Sequence, residues 1–166
     1  MKEIVQSYIN FFREDLQHRP DIYSRAFYKD LICTNVEIVD GLPTVEFTLP
    51  TEYWMRNNHD IVHGGCIATM IDDISSIAMT ADPRAYKSDT PTFEEMALVL
   101  QTLGVSRNIQ VQYLQAVAVD QLVTIRCRVL SNTKRNALID AQVFDKNGRL
   151  LVSASHDKSK PVLSNL

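Results

Sequence analysis

With 166 residues, 45% of them apolar, the chain is long enough for one soluble domain with a sizeable core. A formal charge of -3 and a pI near 5.8 lack the basic footprint of nucleic-acid binders, so no nucleic-acid partner is expected. No apolar run approaches the roughly eighteen residues of a membrane helix, which argues against stable membrane insertion.

Cys33, Cys66 and Cys127 are far apart and odd in number, without the spacing of a zinc site or a disulfide framework, and read as small core residues in a reducing compartment. Glu3, Glu14 and Asp15 lie where a transit peptide avoids acids. The chain therefore reads as cytoplasmic. The final Ser164-Asn165-Leu166 differs from the peroxisomal Ser-Lys-Leu signal at its middle residue, and mitochondrial or peroxisomal association stays open.

In chain order, Val5, Tyr8, Ile9, Phe12 and Leu16 fall on one helical stripe, and Arg19-Pro20 should end that helix. Its polar face is mixed in sign, which favours packing on its own domain or a partner subunit over a membrane. Residues 1–29 are expected as a helical extension ahead of a domain over 30–166. Val36 and Ile38, then Val45, Phe47 and Leu49, predict two strands, and Asp40-Gly41 between them predicts an antiparallel hairpin.

The stretch from Asn57 to Asp72 concentrates the potential chemistry. Gly64-Gly65 stands at the mouth of a helix whose Ile67, Ile71, Ile74 and Ala78 share a face and whose surface carries few charges, so the helix should be buried. Unpaired N–H groups at a helix N-terminus suit a carbonyl oxygen gaining negative charge, and glycine allows close approach to the backbone. Asp72, further along, is a candidate base. Gly64 and Asp72 are eight residues apart, or ~12 Å along a helix, too far for one carbonyl group to touch both. Two antiparallel copies of the helix about a two-fold axis would bring Gly64 of one beside Asp72 of the other. His59 and His63 have no third ligand at a convincing spacing, so no metal is expected, and no cofactor.

Asp82-Pro83 should stop the helix, and the polar segment to Leu103 holds a possible short helix around Phe93–Leu98. Four period-two runs follow: Ile109, Val111 and Tyr113; Val123, Ile125, Cys127 and Val129; Ile139, Ala141 and Val143; Leu150, Val152 and Ala154. Asn147-Gly148 is the turn of a last hairpin. Together these elements make an α+β domain whose antiparallel sheet wraps one long buried helix.

Asn57, His63-Gly64-Gly65 six residues on, Asp72, and a strand starting at Gly104-Val105-Ser106 resemble the hotdog-fold acyl-coenzyme A thioesterases of the phenylacetate-pathway and human thioesterase-superfamily-member-2 type, over about residues 30 to 158. The resemblance implies a hotdog fold, a homodimer or dimer of dimers with sites at subunit interfaces, and hydrolysis of a fatty or aryl acyl-CoA in lipid metabolism. By similarity, the Gly64 N–H and the Asn57 amide would hold the thioester oxygen. Asp72 would act as base or nucleophile, Ser106 would place the water or carboxylate, and His63 would support the loop. Gly65 is a further candidate for substrate contact. Lys134 and Arg135, with His156 and Lys158, are candidates for the phosphates of coenzyme A. Asp60 stands where relatives often carry glycine, and the segment from Asp82 to Leu103 is longer than theirs. The runner-up is a hotdog protein that binds acyl-CoA without cleaving it; a hydratase would want a second histidine that the helix lacks. Acyl-chain length is not legible.

Overall fold

Six segments with an apolar period of two, and two with an apolar period of 3.6, have to bury their faces against each other. The computed structural model, which describes residues 1–18, 24–88 and 90–160, shows how they do so. Its helices are α1 (Lys2–Gln17), α2 (Arg25–Tyr28), α3 (Gly64–Ala78) and α4 (Phe93–Thr102). Its strands are β1 (Ile32–Val39), β2 (Leu42–Pro50), β3 (Val105–Tyr113), β4 (Leu122–Asn132), β5 (Asn136–Phe144) and β6 (Leu150–Ser159). The strands form one antiparallel sheet in the order β1-β2-β4-β5-β6-β3, and α3 lies against its inner face.

The core is the meeting of the two periods. Ile67, Met70, Ile71, Ile74 and Ile77 of α3 are buried against Phe47, Ile125, Ile139, Val143 and Val152 from the sheet. The outer face is polar and laced by cross-strand ion pairs, Arg126–Glu46, Arg128–Asp140 and Arg107–Asp157. Both expected hairpins are present. Asp40 and Gly41 take φ of 52° and 76°, the positive values a two-residue turn matching strand twist requires. In β1 the buried residue is Cys33 rather than the expected apolar pair, since Val36 is only partly buried and Ile38 is exposed.

Val5 and Ile9 of α1 belong to the main core, so the N-terminal helix shares the domain's interior. The Arg19-Pro20 stop lies outside the described residues, as does the Ser164-Asn165-Leu166 terminus. Ile4 and Tyr8 meet Val99 of α4 in a smaller cluster, and the Tyr8 hydroxyl reaches the Met96 carbonyl at 3.2 Å. Thr92 and Glu95 cap the start of α4 reciprocally, and the helix runs four residues past the short one expected around Phe93–Leu98. Among the described residues no helix is long and apolar enough to cross a membrane.

One irregularity positions the site. β3 pairs with β6 as Ser106↔Lys158, Asn108↔Asp157 and Ile109↔His156, which leaves Arg107 as the extra residue of a bulge. Strict alternation from Val111 and Ile109 would turn Ser106 away from the helix. The bulge shifts the phase and turns it back, opposite the inward-facing Lys158.

Candidate active site

The loop into α3 is built around its own hydrogen bonds. Asn57 N–H donates to the Ile61 carbonyl at 2.8 Å, and the Asn57 carbonyl accepts from Asp60 N–H at 3.2 Å. Asn57 Oδ1 accepts from His59 N–H at 2.8 Å, which identifies that atom as the oxygen and leaves the side-chain NH2 to donate elsewhere. Asp60 has φ of 57°, a left-handed conformation that glycine adopts freely and aspartate tolerates, so its departure from the resembling pattern does not break the loop. Arg56 pairs with it at 2.6 Å.

His63 is the N-cap of α3, and its Nδ1 accepts from Gly65 N–H at 2.9 Å. That fits the loop-supporting role expected of it. Gly65, a candidate for substrate contact, thus has its N–H committed within the chain. Gly64, as the first helical residue, has no partner inside the helix for its own N–H. The space above the two glycines is not open. A Cβ on Gly64 would lie 3.2 Å from the ring of Tyr113, and one on Gly65 would lie 3.1 Å from His63 Nδ1.

Two turns along α3, Asp72 carries a polar chain. Ser106 Oγ donates to Asp72 Oδ1 at 2.5 Å; His156 Nε2 lies 3.0 Å from Ser106 Oγ, and His156 Nδ1 lies 2.6 Å from Ser75 Oγ. Because a carboxylate only accepts, the direction propagates: Ser106 gives its proton to Asp72 and accepts from Nε2–H, and Nδ1 accepts from Ser75. That requires a neutral imidazole. Burial of His156, which is 0% exposed, pushes its pKa down to about 4, with Lys158 adding to the effect and Asp72 and Asp157 opposing it. The 3.4 Å approach of Nε2 to Asp72 Oδ1 is therefore not an ion pair near neutral pH. Both contacts fall on Oδ1, and the Asp72 side chain is 40% exposed, so its Oδ2 faces outward in the single chain. Asp73, next to it, is more enclosed; burial pushes its carboxyl up, and its Oδ2 is buried without a partner among the described residues.

His156 and Lys158, expected as surface cations for phosphates, are instead inside, 0% and 3% exposed beneath α3. Lys158 Nζ donates to Ser76 Oγ at 2.8 Å, and Ser76 Oγ donates to the Asp72 carbonyl at 2.7 Å. Burial lowers the Lys158 pKa while Asp72 and Asp73 raise it. Lys134 lines a cavity of about 440 Å³ with Arg84, Lys160, Asp82, Val99 and Leu103, past the C-terminal end of α3. Arg135 does not line it; its carbonyl accepts from Lys160 N–H at 2.7 Å. In one chain, then, Asp72, Ser106 and His156 come together, while His63 caps the helix that Gly64 opens and Asn57 belongs to the loop that leads into it. The two groups stay apart along α3, by ~12 Å from Gly64 to Asp72. Ser75 and Tyr113 are not among the site residues expected from the sequence. Ser75 lies three residues after Asp72, the spacing of neighbours on one helix face, and that signal was available.

A family model described as the thioesterase superfamily matches residues 59–152, more than half of the chain. The chain belongs to the thioesterase superfamily. No curated protein sequence matches it. Among solved structures, zebrafish thioesterase superfamily member 2 is 19% identical with a TM-score of 0.68, over 92% of this chain and 98% of that one. The PaaI protein of the E. coli phenylacetic acid degradation operon is 12% identical with a TM-score of 0.58, over 93% and 95%. A hypothetical thioesterase from Streptococcus pneumoniae, solved with coenzyme A, is 19% identical with a TM-score of 0.58, over 80% and 89%. These likenesses establish the hotdog fold: a sheet wrapped around the long helix, as in other members of the superfamily.

Proposed function

We propose that this superfamily member is an acyl-CoA thioesterase that hydrolyses a fatty or aryl acyl-CoA to the free acid and CoA, in active sites shared by two copies of the chain. The observation that carries the reading is Asp72, a half-exposed carboxylate oriented by neutral donors on the same helix whose N-terminus offers the Gly64 N–H. Asp72 of one copy accepts a proton from water as the water oxygen bonds to the thioester carbon. The carbonyl electrons move to the oxygen, held by Gly64 N–H and the Asn57 amide of the other copy. Re-forming the carbonyl breaks the C–S bond, and the thiolate leaves and takes up a proton. Direct attack by Asp72 to give an anhydride, later opened by water, uses the same groups.

The edge of the sheet supports the pairing of copies. Among the described residues β3 bonds only to β6, and Val105, Tyr113 and Leu114 along it are exposed. Such an edge is a template for another strand. Antiparallel pairing of two β3 edges about a two-fold axis near Gln110 would set Val105 against Leu114 of the partner. It would also set Ser106, which holds Asp72, near the partner's Tyr113, which touches Gly64. The coenzyme A in the S. pneumoniae structure supports the ligand class. The cationic cavity at Lys134 suits the phosphates of that ligand.

The test is thiol release from a panel of acyl-CoA esters, run beside binding. Binding without release would make the protein a carrier or sensor. Asn57→Ala and Asp72→Asn proteins, each inactive alone, should regain about a quarter of wild-type turnover when exchanged at equal amounts, since half the dimers are mixed and each holds one intact site. Mixed dimers with no turnover would refute the shared site.

A further inference from the structure

The two adjacent glycines at the mouth of α3 have a role that bare ligand access does not explain. The peptide joining Gly64 to Gly65 is held at both ends. Its N–H, on Gly65, donates to His63 Nδ1 at 2.9 Å, and its carbonyl, on Gly64, accepts from the Tyr113 hydroxyl at 2.8 Å. Each glycine leaves room for one of these partners. The Tyr113 ring occupies the position beside Gly64 where a Cβ would come within 3.2 Å, and the His63 ring does the same at Gly65 at 3.1 Å. A Cβ at either position would press its partner back by a few tenths of an ångström, against the hydrogen bond that partner makes.

We propose that His63 and Tyr113 are positioning residues that clamp the Gly64–Gly65 peptide plane and so aim the neighbouring Gly64 N–H as an oxyanion donor. Neither side chain exchanges a proton with substrate. The inference rests on the reading of Gly64 N–H as the oxyanion donor, and it deepens that reading in one respect: Tyr113 stands near the end of β3, the free edge strand, so the clamp ties the donor to the seam at which a second copy would dock. An oxyanion donor is effective only if held within a few tenths of an ångström before charge develops; the Gly64 N–H lies on the preceding peptide, and fixing the Gly64–Gly65 plane at both ends limits the rotation about Gly64 that would swing it.

Tyr113→Phe keeps the ring and removes the hydroxyl. Its kcat should fall about tenfold while KM changes less than twofold, because the contact is made through the donor rather than to bound substrate. His63→Leu should fall at least as far, and His63→Asn, whose amide oxygen can accept the same N–H at an N-cap, should recover part of the loss. A second readout does not depend on turnover: amide exchange at Gly65 should be about fivefold faster in Tyr113→Phe, the worth of one hydrogen bond. Unchanged kcat together with unchanged Gly65 exchange in Tyr113→Phe would overturn the clamp. His63→Asn as inactive as His63→Leu would overturn His63's place in it. If the wild-type protein cleaves no acyl-CoA, the thioesterase reading fails, and Gly65 exchange still decides whether the clamp exists.

Discussion

Two carboxylates near the C-terminal half of the buried helix are held in opposite ways. Asp72 is 40% exposed and its Oδ1 is held by a hydroxyl, with a neutral imidazole behind that hydroxyl. Asp82, just past the helix, is 4% exposed and wrapped by charge: Arg84 Nη2 reaches Oδ2 at 2.5 Å, Arg84 Nε reaches Oδ1 at 2.9 Å, and Asn132 Nδ2 reaches Oδ2 at 2.7 Å. Burial alone would push the Asp82 carboxyl up; the hydrogen bonds from Arg84 and Asn132, with the guanidinium charge, outweigh it and hold the pKa below the usual carboxylate range. A carboxylate whose charge is cancelled by a guanidinium ties loops together. A carboxylate oriented by neutral donors keeps its charge for whatever binds beside it.

Exchanging each acid for its amide is the strongest way to break this contrast. Asp72→Asn should lower kcat for acyl-CoA hydrolysis about 10³-fold, the worth of a general base, with little change in melting temperature, because the amide oxygen can still accept from Ser106. Asp82→Asn should show its effect in stability instead, as argued below. Full turnover by a correctly folded Asp72→Asn protein would leave the two acids alike and remove the base from the mechanism.

Acidification probes the neutral half of the contrast. With a pKa of about 4 in the folded chain and 6.5 as its ordinary value, His156 takes up its proton in the unfolded chain first as pH falls. Its contribution to stability is therefore complete above pH 6.5 and is lost as pH falls toward 4, by at most roughly 3 kcal/mol. Asp73 works the other way, since burial raises its carboxyl pKa and the folded chain protonates it first. The measurement is thus a difference: between pH 7 and pH 5, wild type should lose more stability to denaturant than His156→Gln does. Equal losses would mean that His156 is not held neutral, and that Asp72 is paired with a cation much as Asp82 is.

At the other acid, Asp82→Asn should cost about 1 kcal/mol, because Asn132 and the solvent-facing Arg84 lose a charged acceptor that is itself 4% exposed. Arg84→Met should cost a similar amount by stranding the carboxylate. The double variant should cost less than the sum, which a denaturant series on all four proteins would read as a coupling. Strict additivity would mean that the pair is not a unit.

Much of this arrangement follows from local pattern, and the exceptions have physical causes. The buried helix, the Asp40-Gly41 and Asn147-Gly148 hairpins and the six strands are written in short-range periodicity and turn chemistry, which act before any tertiary contact forms. Ser106 is different. Counting in twos from Ile109 points it outward, and only the extra residue at Arg107, decided by pairing with a strand fifty residues away, turns it toward Asp72. His156 and Lys158 lie inside rather than on the surface for another reason. They continue the inward parity of Val152 and Ala154, so their burial was legible, but a basic side chain is read by default as a surface cation. Tyr113 continues the parity of Ile109 and Val111 in the same way, and its contact with Gly64 depends on where the loop ends, which no spacing encodes.

The smallest expected effect concerns what Asp82 leaves over. In the cavity past the helix, Asp82 neutralises Arg84, and Lys160 hydrogen-bonds Asn132, so Lys134 and Lys160 supply an excess of positive charge next to apolar Val99 and Leu103. That excess would attract an anionic group, whereas Arg135, which does not line the cavity, would add little. Lys134→Gln should therefore raise KM for acyl-CoA about threefold, more than Arg135→Gln does, and the gap should narrow as salt screens the exposed charge. If the two variants match wild type at low salt, the phosphates of the ligand lie elsewhere, and the charge at this end of the helix serves only to join the segment after α3 to the β4–β5 turn.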